Sequence, residues 1–154
     1  MINIQPLHKH DKKVISQWQY EGEHAGFNYA MGENGWINSY CIKENSLCFV
    51  AKETDAIIGM FLFIAENSYE FRILINPDFL NKGFGKSVTK KALELGFNTL
   101  KFKEISLIVR KQHTIAISLY QKMGFTITGE TEEKVNNQPM EFYKMVKLNE
   151  TDCA

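Results

Sequence analysis

The sequence predicts an α/β domain in which a mixed β-sheet carries helices on both faces. Several short segments rich in Ile, Val, Phe and Leu are separated by turn residues, a pattern typical of strands. One of them, 71–75, leads through a glycine loop into a one-faced helix, and another apolar run, 105–109, follows that helix. A strand–helix–strand crossover of this kind makes its two strands parallel.

The first half of the chain is expected to contain two helices and three strands. Ile2 and Ile4 alternate as a short strand that Pro6 closes, and Asp11 opens a helix with apolar residues at helical spacing. The next elements, in order, are an irregular stretch at 22–35, a helix or helical turn at 36–43, and a hairpin of strands 47–52 and 57–65 with Gly59 as a candidate bulge.

The second half begins with a strand at 69–76, which Pro77 terminates. Its odd residues, including Phe71 and Ile73, form one face, and its even residues form the other. A helix from Phe84, a strand at 105–109, a helix at 114–123 that ends at Gly124, and a hairpin at 125–131 and 140–148 complete the chain.

Length and composition indicate one ordinary globular domain, 1–154, with 149–154 as a flexible tail. Eighteen basic residues balance eighteen acidic ones, so the composition does not favour nucleic acid or a membrane surface as a partner. We expect no signal peptide and no membrane-spanning segment, and the three cysteines are not spaced as CxxC. We therefore expect a cytoplasmic protein with reduced thiols, and the scattered histidines predict no metal site.

The segment 80–86, Leu-Asn-Lys-Gly-Phe-Gly-Lys, follows the strand and precedes the helix. Exposed N–H groups in the first turn of a helix, together with the helix dipole, attract an anion such as a phosphate. Glycine allows a ligand to approach the backbone, since it has no Cβ. Without other support, the same pattern also describes a helix start with two turn glycines.

A second motif, Ala116-x-x-Leu119-Tyr120-x-Lys122-x-Gly124-Phe125, lies at a suitable distance from the loop. The two motifs together resemble those of the GCN5-related N-acetyltransferase (GNAT) superfamily, whose members are acetyl-CoA-dependent acyltransferases. The resemblance covers roughly residues 47–148. Leu80 stands where the family usually has Arg or Gln, and His113 stands where it usually has Asn.

This resemblance implies the GNAT fold, with a mixed, mostly antiparallel sheet of about seven strands, and acetyl-CoA as co-substrate. Backbone N–H groups of 81–86 would hold the pyrophosphate, and Lys82 and Lys86 would add positive charge. The pantetheine arm would lie along Ile73, Leu74 and Ile75, and His113 would either contact it or be an exposed histidine at the start of a helix. The residues expected to bind the cofactor are therefore Ile73, Leu74, Ile75, Asn81, Lys82, Gly83, Phe84, Gly85, Lys86 and His113.

Acetyl transfer to an amine requires removal of a proton from the amine and protonation of the departing thiolate. Tyr120 is expected to donate that proton, ideally with a slightly lowered pKa, and the N–H of Ile75 is the candidate to stabilise the oxyanion. Glu70 is the candidate base, and the alternative is a solvated strand carboxylate or one next to Arg72. Glu21, Glu23 and His24 are weaker candidates.

The acceptor is expected to be an amine, either a protein N-terminus or a small molecule. An excess of glutamates between Val14 and Ser46 favours a cationic acceptor, and aromatic residues of the same stretch are pocket or core residues: Trp18, Tyr20, Phe27, Tyr29 and Trp36. The alternative function is a catalytically degenerate module that binds acetyl-CoA for sensing or assembly. Family members are often dimers, so a homodimer is also open.

Overall fold

A computed structural model describes residues 1–31, 35–40, 46–66, 68–135 and 137–150. The described chain forms one open sheet of seven strands in the order β1-β2-β3-β4-β5-β7-β6. The strands are β1 (Ile2–Pro6), β2 (Ser46–Glu53), β3 (Ala56–Ala65), β4 (Tyr69–Ile75), β5 (Glu104–Arg110), β6 (Thr126–Val135) and β7 (Gln138–Leu148). Neighbouring strands are antiparallel except β4 and β5. The predicted mixed sheet and its parallel crossover are confirmed.

The helices are α1 (Lys9–Ile15), α2 (Trp36–Tyr40), α3 (Phe84–Glu94) and α4 (Thr114–Lys122). The start of α1 was predicted at Asp11 but lies at Lys9, because the Asp11 carboxylate accepts a hydrogen bond from the His8 amide, 3.0 Å, and closes the first turn. The stretch from Gly22 to Met31, predicted to be irregular, is a 3-10 helix. Of the predicted helix 36–43, residues 41–43 lie outside the described part.

Two hydrophobic clusters cover the two faces of the sheet. One includes Val88 and Ala92 of α3 together with Phe61 and Phe71 of the sheet, and parts of α4 pack against it. The other joins Ile15 of α1, the 3-10 helix and α2 to the opposite face through even-numbered residues of β3 and β4, such as Leu62 and Leu74. The alternation predicted for β4 is therefore correct, and helices lie on both faces.

Two local features also bear on the predictions. In the β2–β3 pair Ala51 lies opposite Gly59 and Lys52 lies opposite Ile57, so the predicted bulge near Gly59 is present. Asn149, assigned to a flexible tail, is 4% exposed and donates hydrogen bonds to the carbonyls of Phe97 and Phe102. That residue is fixed in the fold. None of the helices in the described part of the chain has the length and hydrophobicity needed to cross a membrane.

Candidate active site

The two parallel strands at the centre of the sheet separate from each other soon after they pair. The described β4–β5 ladder contains Tyr69 opposite Ile105 and Glu70 opposite Ser106. On its other side β4 stays paired with β3 as far as Ile75. The carboxyl end of β4 therefore has one edge directed into a gap instead of toward a strand.

A cavity of about 330 Å³ occupies this gap. Its walls come from β4, β5, β7, the 3-10 helix, α2, α3 and α4. Residues that line it and bear on function are Tyr20, His24, Phe27, Trp36, Arg72, Ile73, Leu74, Ile75, Leu80, Gly85, Arg110, His113 and Tyr120. Ligands of α/β sheets bind at the carboxyl ends of parallel strands, and this cavity lies at such a position.

The exposed edge of β4 is formed by alternate peptide groups. The Asn76 amide donates to the Ile58 carbonyl of β3 at 2.8 Å, so the backbone groups of Ile73 and Ile75 face the other way, into the gap. Leu74 lies opposite Met60 and directs its backbone to β3. Of the three residues predicted to contact pantetheine, two therefore offer backbone hydrogen bonds to a ligand, and Leu74 contributes its side chain to the lining.

Tyr20 was considered only as a pocket or core aromatic, yet it contacts this edge directly. Its hydroxyl donates a hydrogen bond to the Ile75 carbonyl, and burial raises the pKa of this phenol above its usual value of 10.0. The Tyr20 backbone amide and carbonyl are in turn bonded to the Asn28 side chain, at 2.7 and 2.9 Å. The 3-10 helix thus fixes the strand end at which the predicted oxyanion contact lies.

The glycine loop leads from β4 into α3 in the way the sequence predicts. Asn81 and Gly83 have left-handed backbone conformations, with φ of 61° and 82°, and Gly83 is the residue before the first turn. No side chain caps that turn, and a Cβ added at Gly83 would meet no atom within 4 Å. The first-turn N–H groups of α3 are therefore available to an anion.

Other loop residues differ in how they face the gap. Asn81, Lys82 and Lys86 are exposed, Phe84 is half-buried and packs on Phe79, and Gly85 lines the cavity. A Cβ at Gly85 would come no closer than 4.0 Å to Ile75. Leu80, the departure from the family motif, lines the cavity and packs against the second cluster instead of pointing to solvent. Together, the gap, the strand edge and the uncapped loop fit a long ligand with a phosphate group.

Tyr120 lies on α4 and lines the cavity. Its ring packs edge-on against Phe125, with 5.8 Å between ring centroids, and its hydroxyl bonds to none of the described residues. Burial raises the pKa of Tyr120 to about 12. The slightly lowered pKa that would be ideal for the acid role is therefore not found, because burial of the phenol disfavours its charged form.

Glu70, the predicted base, is not one of the cavity-lining residues. Its carboxylate accepts a hydrogen bond from Nε of Arg72 at 2.8 Å. Of the weaker candidates, Glu21 and Glu23 are exposed and do not line the cavity either, while His24 does. Glu70 therefore forms the ion pair with Arg72 that was the alternative to its role as base. Of the four residues considered as the base, His24 is the one that lines the cavity.

The residues between Val14 and Ser46 that were expected to favour a cationic acceptor line the cavity only in part. Tyr20, Phe27 and Trp36 line the cavity, Trp18 is buried in the second cluster, and the Tyr29 side chain is not among those described. Glu33 and Glu44, which contributed to the acidic excess, also lie outside the described residues. The expected acidic wall is therefore absent from the described lining, which contains no Asp or Glu.

Basic groups occupy this part of the lining instead. Arg110 donates a hydrogen bond from Nη2 to the Gly26 carbonyl at 3.3 Å, and the Phe27 ring lies 6.0 Å from that of His24 and 6.4 Å from that of His113. Part of His113 is exposed, but burial of the remainder lowers its pKa below 6.5, and the charges of Arg110 and His24 lower it further. Arg110 ends the strand parallel to β4, the position from which the sequence alone could have indicated it.

The chain belongs to the acetyltransferase (GNAT) family, whose model matches residues 7–125. This confirms the predicted family, and the match extends further toward the N-terminus than the predicted 47–148. The fold agrees with it: a spermidine N-acetyltransferase of Vibrio cholerae, solved in complex with CoA and spermine, superposes with a TM-score of 0.79. That comparison covers 99% of this chain and 98% of the other, at 22% identity.

Two relatives are similar in sequence over different lengths. The peptidyl-lysine N-acetyltransferase YjaB of Salmonella typhimurium is 29% identical over 136 residues, which are 86% of this chain and 88% of the relative. The spermidine N(1)-acetyltransferase of Escherichia coli K12 is 39% identical over 61 residues. This second match spans 40% of the present chain and only 33% of the length of the E. coli protein.

Proposed function

We propose that the protein is an acetyl-CoA-dependent N-acetyltransferase that acetylates a primary amine directly. The observation that carries this proposal is the gap between β4 and β5, where the free strand edge at Ile73 and Ile75 meets the Tyr120 side chain in one cavity. The family match over 7–125 supports it. The spermidine and peptidyl-lysine relatives are both named for acceptors with a primary alkylamine.

Acetyl-CoA would be held by residues whose positions fit it. The N–H groups of the first turn of α3, from Gly83 to Lys86, would bind the pyrophosphate, with Lys82 and Lys86 adding charge at the exposed side. Peptide groups of Ile73 and Ile75 would bind the pantetheine arm as an additional strand. When bound, acetyl-CoA supplies the activated acetyl group.

The acceptor must lose a proton before it can attack, since a free alkylammonium has a pKa of ~10.4. The surroundings of the cavity favour that loss, because the Arg110 guanidinium disfavours a further positive charge and the described lining contains no carboxylate to stabilise an ammonium. The lowered pKa of His113 leaves its imidazole neutral at pH 7 and able to accept a proton. We propose His113, directly or through water, as the base in place of Glu70.

Tyr120 would donate a hydrogen bond, and finally a proton, to the sulfur that leaves. Its raised pKa keeps the phenol protonated at any physiological pH, so the donor is always present. Tyr20 would hold the Ile75 peptide in place, because its hydroxyl occupies the carbonyl of the residue whose N–H points into the gap. The cytoplasmic location and the homodimer predicted from the sequence remain predictions.

The alternative, an acetyl-CoA-binding module without turnover, is favoured by one observation, since no carboxylate is found among the described lining residues. Release of free thiol from acetyl-CoA over a panel of primary amines separates the two functions. An enzyme produces thiol in proportion to the acetylated amine, whereas a binding module shows CoA uptake by calorimetry and no turnover. Absence of both uptake and turnover would refute the proposed cofactor site.

A further inference from the structure

The acceptor side of the cavity can be identified from the alternation of the two central strands. Even-numbered residues of β4, such as Leu74, belong to the cluster under α1 and the 3-10 helix. On β5, Val109 belongs to the cluster under α3, and the next residue, Arg110, reaches the opposite side, where it contacts Gly26. Arg110 therefore lies across the sheet from α3 and the glycine loop.

Charge on this side of the cavity is unevenly compensated. Arg72 is paired with Glu70, and the Nε2 atom of His24 lies 3.4 Å from an oxygen of Glu23. Arg110 donates its hydrogen bond to the neutral carbonyl of Gly26, and no carboxylate of the described residues forms an ion pair with it. A guanidinium stays charged in proteins at any accessible pH, so it contributes a positive charge to the wall of the cavity.

We infer that the acceptor amine carries a carboxylate close to its nitrogen, and that Arg110 binds this carboxylate and determines the specificity of the site. The inference rests on the proposed function and names the substrate class of the same site. A guanidinium recognises a carboxylate through two parallel hydrogen bonds, which also orient the rest of the molecule.

A polycation such as spermidine fits the described lining poorly. It would bring several ammonium groups against the Arg110 guanidinium, and no described lining residue offers a carboxylate to bind them. An amine with its own carboxylate adds no net charge to the cavity. The carboxylate is attracted to Arg110, and the neutral imidazole of His113 remains to accept the proton of the ammonium.

The experiment uses the full-length protein with acetyl-CoA and measures kcat and KM by thiol release. The acceptors are glycine, β-alanine, γ-aminobutyrate and δ-aminovalerate, which place the carboxylate at increasing distance from the amine. Each is compared with the n-alkylamine of the same chain length, which lacks the carboxylate, and spermidine and spermine are included. We expect at least one amino acid to exceed both its matched alkylamine and the polyamines in kcat/KM by tenfold or more.

Variants then test whether Arg110 is responsible. Arg110→Gln should raise the KM for the preferred amino acid by about 10- to 100-fold, and it should not raise the KM for the matched alkylamine, which has no carboxylate contact to lose. Gly26→Ala should have a similar but smaller effect with the guanidinium intact, because the new methyl group would lie 2.6 Å from Nη1 of Arg110. Lys111→Gln is the control, since it removes the neighbouring positive charge, which pairs with Glu130 and Glu141 outside the cavity.

The outcomes separate the inference from the proposed function. If spermidine or an alkylamine is the best substrate, or if Arg110→Gln affects alkylamines and amino acids equally, the inference is wrong but the acetyltransferase remains. If no amine of the panel releases thiol, both the inference and the proposed transferase activity are wrong for these acceptor classes. An unchanged KM for acetyl-CoA and an unchanged melting temperature show that Arg110→Gln has not altered the cofactor site or the fold.

Discussion

Replacement of Tyr120 by Phe tests the proposed proton donor with a minimal change of shape. The pKa of about 12 makes this phenol a weak acid, and complete transfer of its proton to a thiolate with an ordinary pKa of ~8.5 is uphill by roughly 5 kcal/mol. Tyr120 would therefore act mainly through a hydrogen bond to the sulfur, with proton transfer late in the reaction.

The expected loss of rate follows from comparison with water as the alternative donor. Water has a pKa of about 15.7, and a Brønsted dependence of about one half on the pKa difference gives a loss on the order of 10²-fold in kcat. This lies at the low end of the range for general acids. The KM for acetyl-CoA should change less than threefold, because the proposed hydrogen bond from the hydroxyl to sulfur forms in the transition state and does not contribute to binding of acetyl-CoA.

Steady-state thiol release with a saturating amine measures the effect, and Tyr143→Phe is the matched control. Tyr143 contacts Lys111, with 5.3 Å from its ring centroid to Nζ, and does not line the cavity. The free energy of unfolding of Tyr120→Phe should lie within about 1 kcal/mol of that of the parent protein, since the packing of the ring on Phe125 is kept. Full activity of Tyr120→Phe would refute the acid role, and an equal loss in Tyr143→Phe would show that the assay reports general damage.

Three further predictions concern the cofactor loop, the strand end and the proposed base. Gly85→Val should weaken CoA binding at least tenfold by calorimetry without lowering the melting temperature, because the new side chain enters the cavity near Ile75. Gly129→Val on β6 is the control, since a Cβ there also meets no close atom, and it should leave the affinity for CoA unchanged. Tyr20→Phe leaves the Ile75 carbonyl without its donor and should lower the free energy of unfolding by about 1–3 kcal/mol in urea, whereas no loss would contradict the bond. The pKa of His113 is lowered in the folded state, so the unfolded state binds a proton first and the free energy of unfolding falls as the pH drops below 6.5. His113→Gln should reduce this loss of stability. It should also abolish the decrease of kcat/KM that protonation of His113 causes below pH 6.5. A limb that persists unchanged in His113→Gln would exclude His113 as the base.

The sequence predicted the parts of this fold that local patterns determine. The two faces of β4, the crossover through α3 and the glycine that ends α4 depend on residues close together in the chain, and all three are present. The gap between β4 and β5 is different in kind. It arises because the strands stop pairing after Glu70, and nothing in the alternation of either strand marks that point.

The contiguous motifs of the sequence predicted only part of the lining of this cavity. The loop 81–86 and Tyr120 were found because they belong to contiguous motifs, and the structure brings the loop start of α3 and Tyr120 to one cavity. The positions of Tyr20 and Arg110 at the cavity were not predicted, because each depends on a contact with a residue distant in sequence, Ile75 and Gly26 respectively. Glu70 was chosen as a carboxylate on the correct strand, but its side chain pairs with Arg72 two residues away.

The relatives and the described cavity lining point to different acceptors. Two of the relatives are named for spermidine and peptidyl-lysine, whereas the described lining contains Arg110 and no carboxylate. The fold is shared with a spermidine acetyltransferase at 22% identity, a level at which the backbone is retained while pocket side chains are free to change. The charge at the cavity wall is what an acceptor meets, and the described wall is basic at Arg110 and at two histidines. Because a specificity ratio is a difference of binding free energies, one uncompensated guanidinium can both attract a carboxylate and repel a polyamine. The matched amino acid and alkylamine series measures that difference directly.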